Sequence, residues 1–389
     1  MPEVTQHRQT LRLRRTPVLA TRHASKTDIL SHRIDLDPKR CFIRTFPRQS
    51  GDAGVHTFPG SMLHLKQSAF VKGIMNRNST ILITGASGMV GSALVRRLQA
   101  DGFRNVLAPG RSELDLCDTV ATDRYFLRHR PEYAFLMAAK VGGIAANVAD
   151  PVGFLSENLA IANNCLSACH RFGIRKSVLL GSSCIYPRLC PQPIQEGSLL
   201  TGQLEPTNEG YAIAKIAALK LAQSYHIQYG MQTVCPMPCN IYGTGDHFDL
   251  QRSHVLSALV RRFCDARDER QSSIRLWGTG SARREFIHVD DVVDGILFLQ
   301  KHVSSPEIIN LGTGADITIR ELAECIGHET GYQGQIEWDH SMPDGMPRKC
   351  LDCNKLNSMG FRPGVSLLTG IRRTIAEYRD LKDRGRIAA

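Results

Sequence analysis

The sequence predicts an α/β protein: a doubly wound parallel sheet followed by a smaller C-terminal α/β lobe. Three observations predict it. The apolar run Ile81, Leu82, Ile83 leads straight into a glycine triplet and then a helical apolar pattern. Short apolar runs alternate with helical segments as far as about residue 240, the pattern of a parallel sheet covered on both faces. From about residue 243 the alternation becomes less regular, as a separate lobe would make it.

The first unit is "TILITGASGMVGSALVRRLQADG", with Gly85, Gly88 and Gly91 between the strand and a helix carrying Val90, Leu94 and Leu98. Glycines at this spacing let the backbone turn tightly, approach a pyrophosphate and lay the helix on the strand. The helix start then offers unpaired N–H groups to phosphate charge. This strand, loop and helix predict a Rossmann-type dinucleotide site on Gly85, Ala86, Ser87, Gly88, Met89, Val90 and Gly91. A fold that prefers NAD places an acid about 20 residues on, to hold the ribose. Here "NVLAPGRSELDLCD" offers Arg111 and no acid at that point, so NADP(H) is the expected cofactor. Asp115 and Asp118 follow, either as adenine neighbours or as solvated loop acids.

The next units are "EYAFLMAAK" as a strand, "ENLAIANNCLSACHRFG" as a helix and "KSVLLGSS" as a strand. Ligands of such sheets sit beyond the carboxyl ends of the strands. Ser182 and Cys184 fall at one such end. Downstream, Tyr211 and Lys215 are four apart in the helical stretch "EGYAIAKIAALKLAQSY", hence on one face. A serine with a Tyr-x-x-x-Lys pair can hold a carbonyl oxygen and protonate it as hydride arrives. The nearby ammonium is expected to ease proton loss from the phenol. Further on, Thr318 before "IRELAECI", with Glu321 three residues later, predicts a capping box.

Composition bounds the rest. The formal net charge of +11 suggests nucleic acid until it is located: residues 1–75 hold 13 Lys/Arg against 5 Asp/Glu. The remainder is close to neutral, so no nucleic-acid partner is expected. Residues 1–75 lack the apolar core of a secretory signal. They read as a disordered tail or an upstream start ahead of "MNRNSTILITGASG", with an organelle transit peptide as the other reading. No stretch reaches transmembrane length, and twelve irregularly spaced cysteines do not make a secreted disulfide framework. A cytoplasmic protein is expected. Cys350-x-x-Cys353 has no second pair or histidine at zinc spacing, and no metal is expected. The expected organisation is an extension over 1–75, a nucleotide domain over 76–242, and a mainly substrate-binding lobe over 243–389 with interleaved segments.

The stretches "AAKVGGI", "LGSSCIYP", "LEPTNEGYAIAKIA", "SHV", "WGTGSARREFIHVDD" and "PDGMPRK" resemble the extended short-chain dehydrogenase/reductases that act on nucleotide sugars. The resemblance runs from about Thr80 to the C-terminus. It is strongest to members that epimerise GDP-4-keto-6-deoxy-D-mannose at carbons 3 and 5 and then reduce the ketone with NADPH. It implies a GDP-sugar substrate and a homodimer formed through a helix pair. It further implies Ser182, Tyr211 and Lys215 as the reductive set, with Cys184 and His254 as acid and base on either side of the sugar. Cofactor contacts are implied for Pro238, Cys239, Asn240, Ile241, Lys215 and His254. Substrate contacts are implied for Arg262, Trp277, Arg284 and Asp344, with Lys349 a weaker candidate. Ser87 stands where related chains carry a basic residue, and "GTGDHFDLQRSHV" differs from the related stretch at Thr244, Gly245 and His247.

The chemistry is self-consistent. A 4-keto group acidifies the protons on carbons 3 and 5, and inversion needs one group to take a proton and another to return it on the opposite face. Thiol and imidazole both titrate near neutrality. Other readings compete. A 4,6-dehydratase should show Thr-Asp-Glu after the strand-end serine, where this chain has Ser-Cys-Ile. A 4-epimerase needs no extra acid–base pair. A nucleotide-sensing regulator on the same fold typically lacks the Tyr-x-x-x-Lys pair.

Overall fold

The computed structural model describes residues 75–249, 253–342 and 344–387; the expected extension lies, up to residue 74, outside the described residues. In chain order the first elements are β1 (Thr80–Thr84), α1 (Met89–Ala100), β2 (Asn105–Leu107), α2 (Thr119–His129), β3 (Tyr133–Leu136), α3 (Ile144–Ala149), α4 (Pro151–Arg171), β4 (Lys176–Leu179), α5 (Glu209–Tyr229), β5 (Thr233–Pro238) and β6 (Asn240–Tyr242). There follow α6 (Val255–Asp268), β7 (Ser273–Trp277), β8 (Arg283–His288), α7 (Val289–His302), β9 (Ile308–Leu311), β10 (Asp316–Thr318), α8 (Ile319–Thr330), β11 (Gln335–Asp339), β12 (Arg348–Lys349), α9 (Asn354–Ser358) and α10 (Leu367–Asp383).

Six parallel strands form the main sheet in the order β2-β1-β3-β4-β5-β9. The interior strands are apolar without alternation, as strands buried on both faces must be: Ile81, Leu82, Ile83 and Phe135 are fully buried. One helix group, α1 with α7, and another, α2 with α4 and α5, cover the sheet. Chain order reverses between β1 and β3, which opens a crevice beyond their carboxyl ends. β9 joins this sheet from far beyond residue 243, so the two halves interleave.

β5 carries Pro236 and Pro238 in the sheet interior, where proline is rare because it has no N–H for the ladder. The register explains the tolerance. β5 pairs with β4 only at Thr233 and Val234, while Cys235 to Pro238 pair with β9. Pro236 still accepts at its carbonyl from Gly181 N at 2.9 Å, so the missing donors face the β4 side. The ladder between β4 and β5 therefore ends just where the chain leaves β4 for Ser182.

In the second lobe β8 is the hub: β6 and β12 run parallel to it and β10 antiparallel. β7 and β11 form a separate parallel pair. Its core joins Leu256, Val260 and Phe263 of α6 to Leu322 and Ile326 of α8 and Ile371 and Tyr378 of α10. Glu285 of β8 is fully buried. Its carboxylate accepts from Gly314 N at 2.7 Å and Leu351 N at 2.8 Å, tying three segments together. Among the described residues no helix is long and apolar enough to cross a membrane.

Candidate active site

A cavity of about 740 Å³ lies beyond the carboxyl ends of β1, β3, β4 and β5. The glycine loop forms its floor. Gly85 has φ +69°, and a Cβ there would meet Ala138 N at 2.7 Å. A Cβ at Gly91 would meet Gly85 O at 2.1 Å, so loop and helix touch only because both are glycine. Gly88 caps α1 without a side-chain bond, which leaves N–H groups of the first turn for a ligand.

Every cofactor residue expected from the sequence lines this cavity except Ala86, which packs into the core beside Gly91. The lining includes Ser87, Met89, Val90, Arg111, Lys215, Pro238, Cys239, Asn240, Ile241 and His254. Volume, glycine floor and helix start fit a dinucleotide. Arg111 reaches solvent with 76 % of its side chain exposed, 3.5 Å from Glu157 Oε2. Asp115 lines the cavity. Asp118 does not: its carboxylate accepts from Val120 N at 2.7 Å and Ala121 N at 3.1 Å and caps α2. That corrects the adenine reading for Asp118, since the start of α2 claims its oxygens first.

The catalytic candidates share the same cavity: Ser182, Cys184, Tyr211, Lys215 and His254 all line it. Beyond β4, Ser182 is extended, and its Oγ accepts from Cys184 N at 3.2 Å, turning the chain into a short 3-10 segment that presents the thiol. His254 is the N-cap residue of α6, but its ring makes no capping bond, and the side chain is exposed. Tyr211 and Lys215 project from α5, with the ammonium 5.8 Å from the phenol ring centre.

The electrostatics of the pair differ from the sequence expectation. Burial pushes the Tyr211 phenol up, the Cys184 charge pushes it further, and a hydrogen bond with Ser182 opposes both. Lys215 does not reverse this. Its Nζ donates to Leu180 O at 2.8 Å, and burial lowers its own pKa to about 8, with Cys184 opposing. Desolvation of a phenolate outweighs a partly deprotonated ammonium. Tyr211 keeps its proton and is suited to donate it.

Cys184 lies below the ordinary cysteine value. Burial raises it, but the Lys349 ammonium and hydrogen bonds from Ser182, Lys349 and Asn208 outweigh burial. Lys349 Nζ donates to Sγ at 3.6 Å and Asn208 Nδ2 at 3.4 Å. Asn208 was missed in the sequence, although it precedes Tyr211 by three residues. Lys140 was also missed: it lines the cavity and bridges Asp150 Oδ2 at 2.7 Å and Glu157 Oε1 at 2.5 Å. Its place just past β3, at a carboxyl strand end, was the available signal.

The four expected substrate residues do not line the cavity. They gather in the second lobe. Arg262 Nη1 donates to Arg275 O at 3.5 Å, and Trp277 is 64 % exposed. Arg284 donates to Met346 O at 2.6 Å. Asp344 accepts from Thr279 N at 2.6 Å and Thr279 Oγ1 at 2.8 Å, bracing the turn after Trp277. Among the described residues no group of His, Cys, Asp and Glu could hold a metal. Cys350 and Cys353 are buried free thiols, both pushed up by burial.

Comparison with known proteins agrees with this geometry. The chain is 46% identical over 308 residues to GDP-L-fucose synthase 1 of Arabidopsis thaliana, covering 79% of this chain and 95% of that protein. It is 42% identical over 315 residues to GDP-L-fucose synthase of Escherichia coli K12, covering 79% and 98%. Among solved structures, a GDP-mannoheptose C4 reductase from Campylobacter jejuni with NADP bound is 34% identical, with a TM-score of 0.73, covering 79% of this chain and 100% of that one. The sequence profile of the NAD dependent epimerase/dehydratase family matches residues 81–312. The chain belongs to that family and groups within it with the GDP-L-fucose synthases.

Proposed function

We propose that this protein converts GDP-4-keto-6-deoxy-D-mannose to GDP-L-fucose, by epimerisation at carbons 3 and 5 followed by NADPH-dependent reduction of the 4-keto group. One observation carries the reading: a thiol, an imidazole and a Ser-Tyr-Lys set line a single dinucleotide-sized cavity. A simple 4-epimerase needs only the last of these.

In the first stage Cys184 and His254 exchange protons with opposite faces of the sugar at each carbon next to the ketone. Ser182 and Tyr211 hold the ketone oxygen and stabilise the negative charge that builds there as the enolate forms. In the second stage Tyr211, which keeps its proton, gives it to that oxygen. Bound NADPH supplies the hydride. Lys215, anchored on Leu180 O, holds the end of the cavity nearest Tyr211. Arg111 and the glycine floor hold the cofactor phosphates. Arg262, Arg284 and Trp277 hold the GDP portion, and Asp344 acts by bracing the Trp277 turn.

The protein works as a homodimer through α4 and α5, which pack along each other. They leave Val152, Leu159, Ile213 and Ile227 exposed. Cytoplasmic residence suits the chemistry, because Cys184 must stay a reduced thiol.

The test is NADPH consumption on adding GDP-4-keto-6-deoxy-D-mannose, with the product identified. Cys184→Ser should abolish both turnover and solvent-deuterium uptake into the keto sugar, while NADPH binding stays intact. Unchanged turnover in that variant would refute the assignment.

A further inference from the structure

We propose that Lys349 and Asn208 form a positioning pair that holds Cys184 as a thiolate, ready for the proton transfer assigned to it above. The function assigned above supplies the proton to be taken; the thiolate itself is a property of the protein alone.

The geometry is specific. Lys349 Nζ is 3.6 Å from Sγ, across 165 residues of chain, and no carboxylate lies within ion-pair reach of that ammonium among the described residues. An ammonium that could pair with an acid elsewhere instead faces sulfur. Its backbone is fixed on both sides. Arg348 is held by Asp316, Cys350 N donates to Gln192 Oε1 at 2.9 Å, and β12 pairs Lys349 with Arg284 of β8. The ammonium is thus placed by a clamped strand, as preorganisation requires.

Asn208 adds direction. Its Nδ2 donates to Sγ at 3.4 Å, while its buried Oδ1 has no partner. An anionic sulfur accepts and cannot donate, so it favours the NH₂ side of the amide. A thiol S–H would favour the oxygen. The other charged or titratable groups facing Cys184 are Tyr211 and Lys215 of α5, while Cys190 shares the field of Lys349. Lys215 is turned to Leu180 O, which leaves Lys349 as the cation in contact with sulfur.

The protons balance. The Cys184 thiolate takes a proton from the carbon beside the ketone and becomes a thiol, and the C–H electron pair moves into the enolate. The His254 imidazolium gives its proton to the opposite face of that carbon and becomes imidazole. Solvent returns both groups to their starting states before the second inversion. His254 is exposed and open to that exchange, and Lys349 draws the proton off sulfur again.

The experiment measures iodoacetamide alkylation of Cys184 in the full chain without substrate, from about pH 5 to about pH 10, read by mass spectrometry of its peptide. A free cysteine gives a midpoint at about 8.5. The wild-type midpoint should lie below that. Lys349→Met should raise it by about one unit or more and slow alkylation near neutrality roughly tenfold. Lys349→Arg should keep it low. Asn208→Asp, which removes the donor and adds a negative charge, should raise it. A wild-type midpoint at or above the free value overturns the proposal. So does a midpoint unmoved by both Lys349→Met and Asn208→Asp, and either variant suffices should the other fail to fold. Solvent-deuterium exchange into the keto sugar separates the two readings. A shifted alkylation midpoint without exchange in the wild type supports the thiolate and refutes the substrate. Exchange with an unmoved midpoint does the reverse.

Discussion

Tyr211 and Lys215 carry opposite consequences of the same burial. The phenol is held protonated, and the ammonium is brought to about 8. As pH rises through that value Lys215 loses its charge, so reduction should fall on the alkaline side of about pH 8. A pH profile of NADPH oxidation checks this. The sign follows from the charged lysine being the active form, so the limb descends as pH rises. Tyr211→Phe should cost the reduction about 10²-fold or more, the usual worth of a positioned proton donor. Deuterium uptake into the keto sugar should fall less than reduction does, because Cys184 remains to move the proton and Ser182 remains to hold the enolate oxygen. Gly91→Ala should weaken NADPH binding by roughly tenfold or more, since its Cβ would meet Gly85 O at 2.1 Å; fluorescence titration measures it. At this scale Ser182, Cys184, Tyr211, Lys215 and His254 were legible as candidates that share one cavity, because each sits in a short, distinctive motif. Asn208 and Lys349 as neighbours of Cys184 were not, because contacts 24 and 165 residues apart leave no trace in local spacing.

Elements were legible where periodicity had room to declare itself. The strand expected at Ile81 to Ile83 is the centre of β1, and the helix expected over "ENLAIANNCLSACHRFG" is part of α4, which starts six residues earlier and ends at Arg171. The capping box is present in full: Glu321 N donates to Thr318 Oγ1 at 3.0 Å, and Thr318 N donates to Glu321 Oε2 at 2.9 Å. Thr318→Ala should therefore destabilise the fold by about 1 kcal/mol, seen as a lower midpoint in urea. "INLGTGADITIRELAECI" folds as the end of β9, a turn, β10 and the start of α8. β10 and β12 have three and two residues, too few for alternation to show. They exist because β8 offers them partners, a tertiary cause that local pattern does not record.

For the molecule as a whole, the parallel sheet and a further set of short strands outside it were legible from regular alternation that gives way after about residue 240. Interleaved segments were expected, but not that β9 is the strand that returns to the first sheet, since parallel partners are joined across long crossovers. The proposed α4–α5 dimer predicts a sedimentation coefficient of a two-chain particle. Replacing Ile213 and Val152 together by Asp should shift it to one chain. A chain trimmed to start at Met75 should keep its full activity, because every residue assigned here to cofactor or chemistry follows that point; side-by-side assays settle it.

The two prolines of β5 have a consequence for how this scaffold can change over generations. With no donors offered toward β4 beyond Val234, the peptide that carries Ser182, Ser183 and Cys184 is not stitched into that seam. Rewriting those three letters alters what is done to the sugar without unpicking the sheet. A relative could trade the thiol for an acidic pair, and so move from inverting carbons to expelling water, on an otherwise untouched framework.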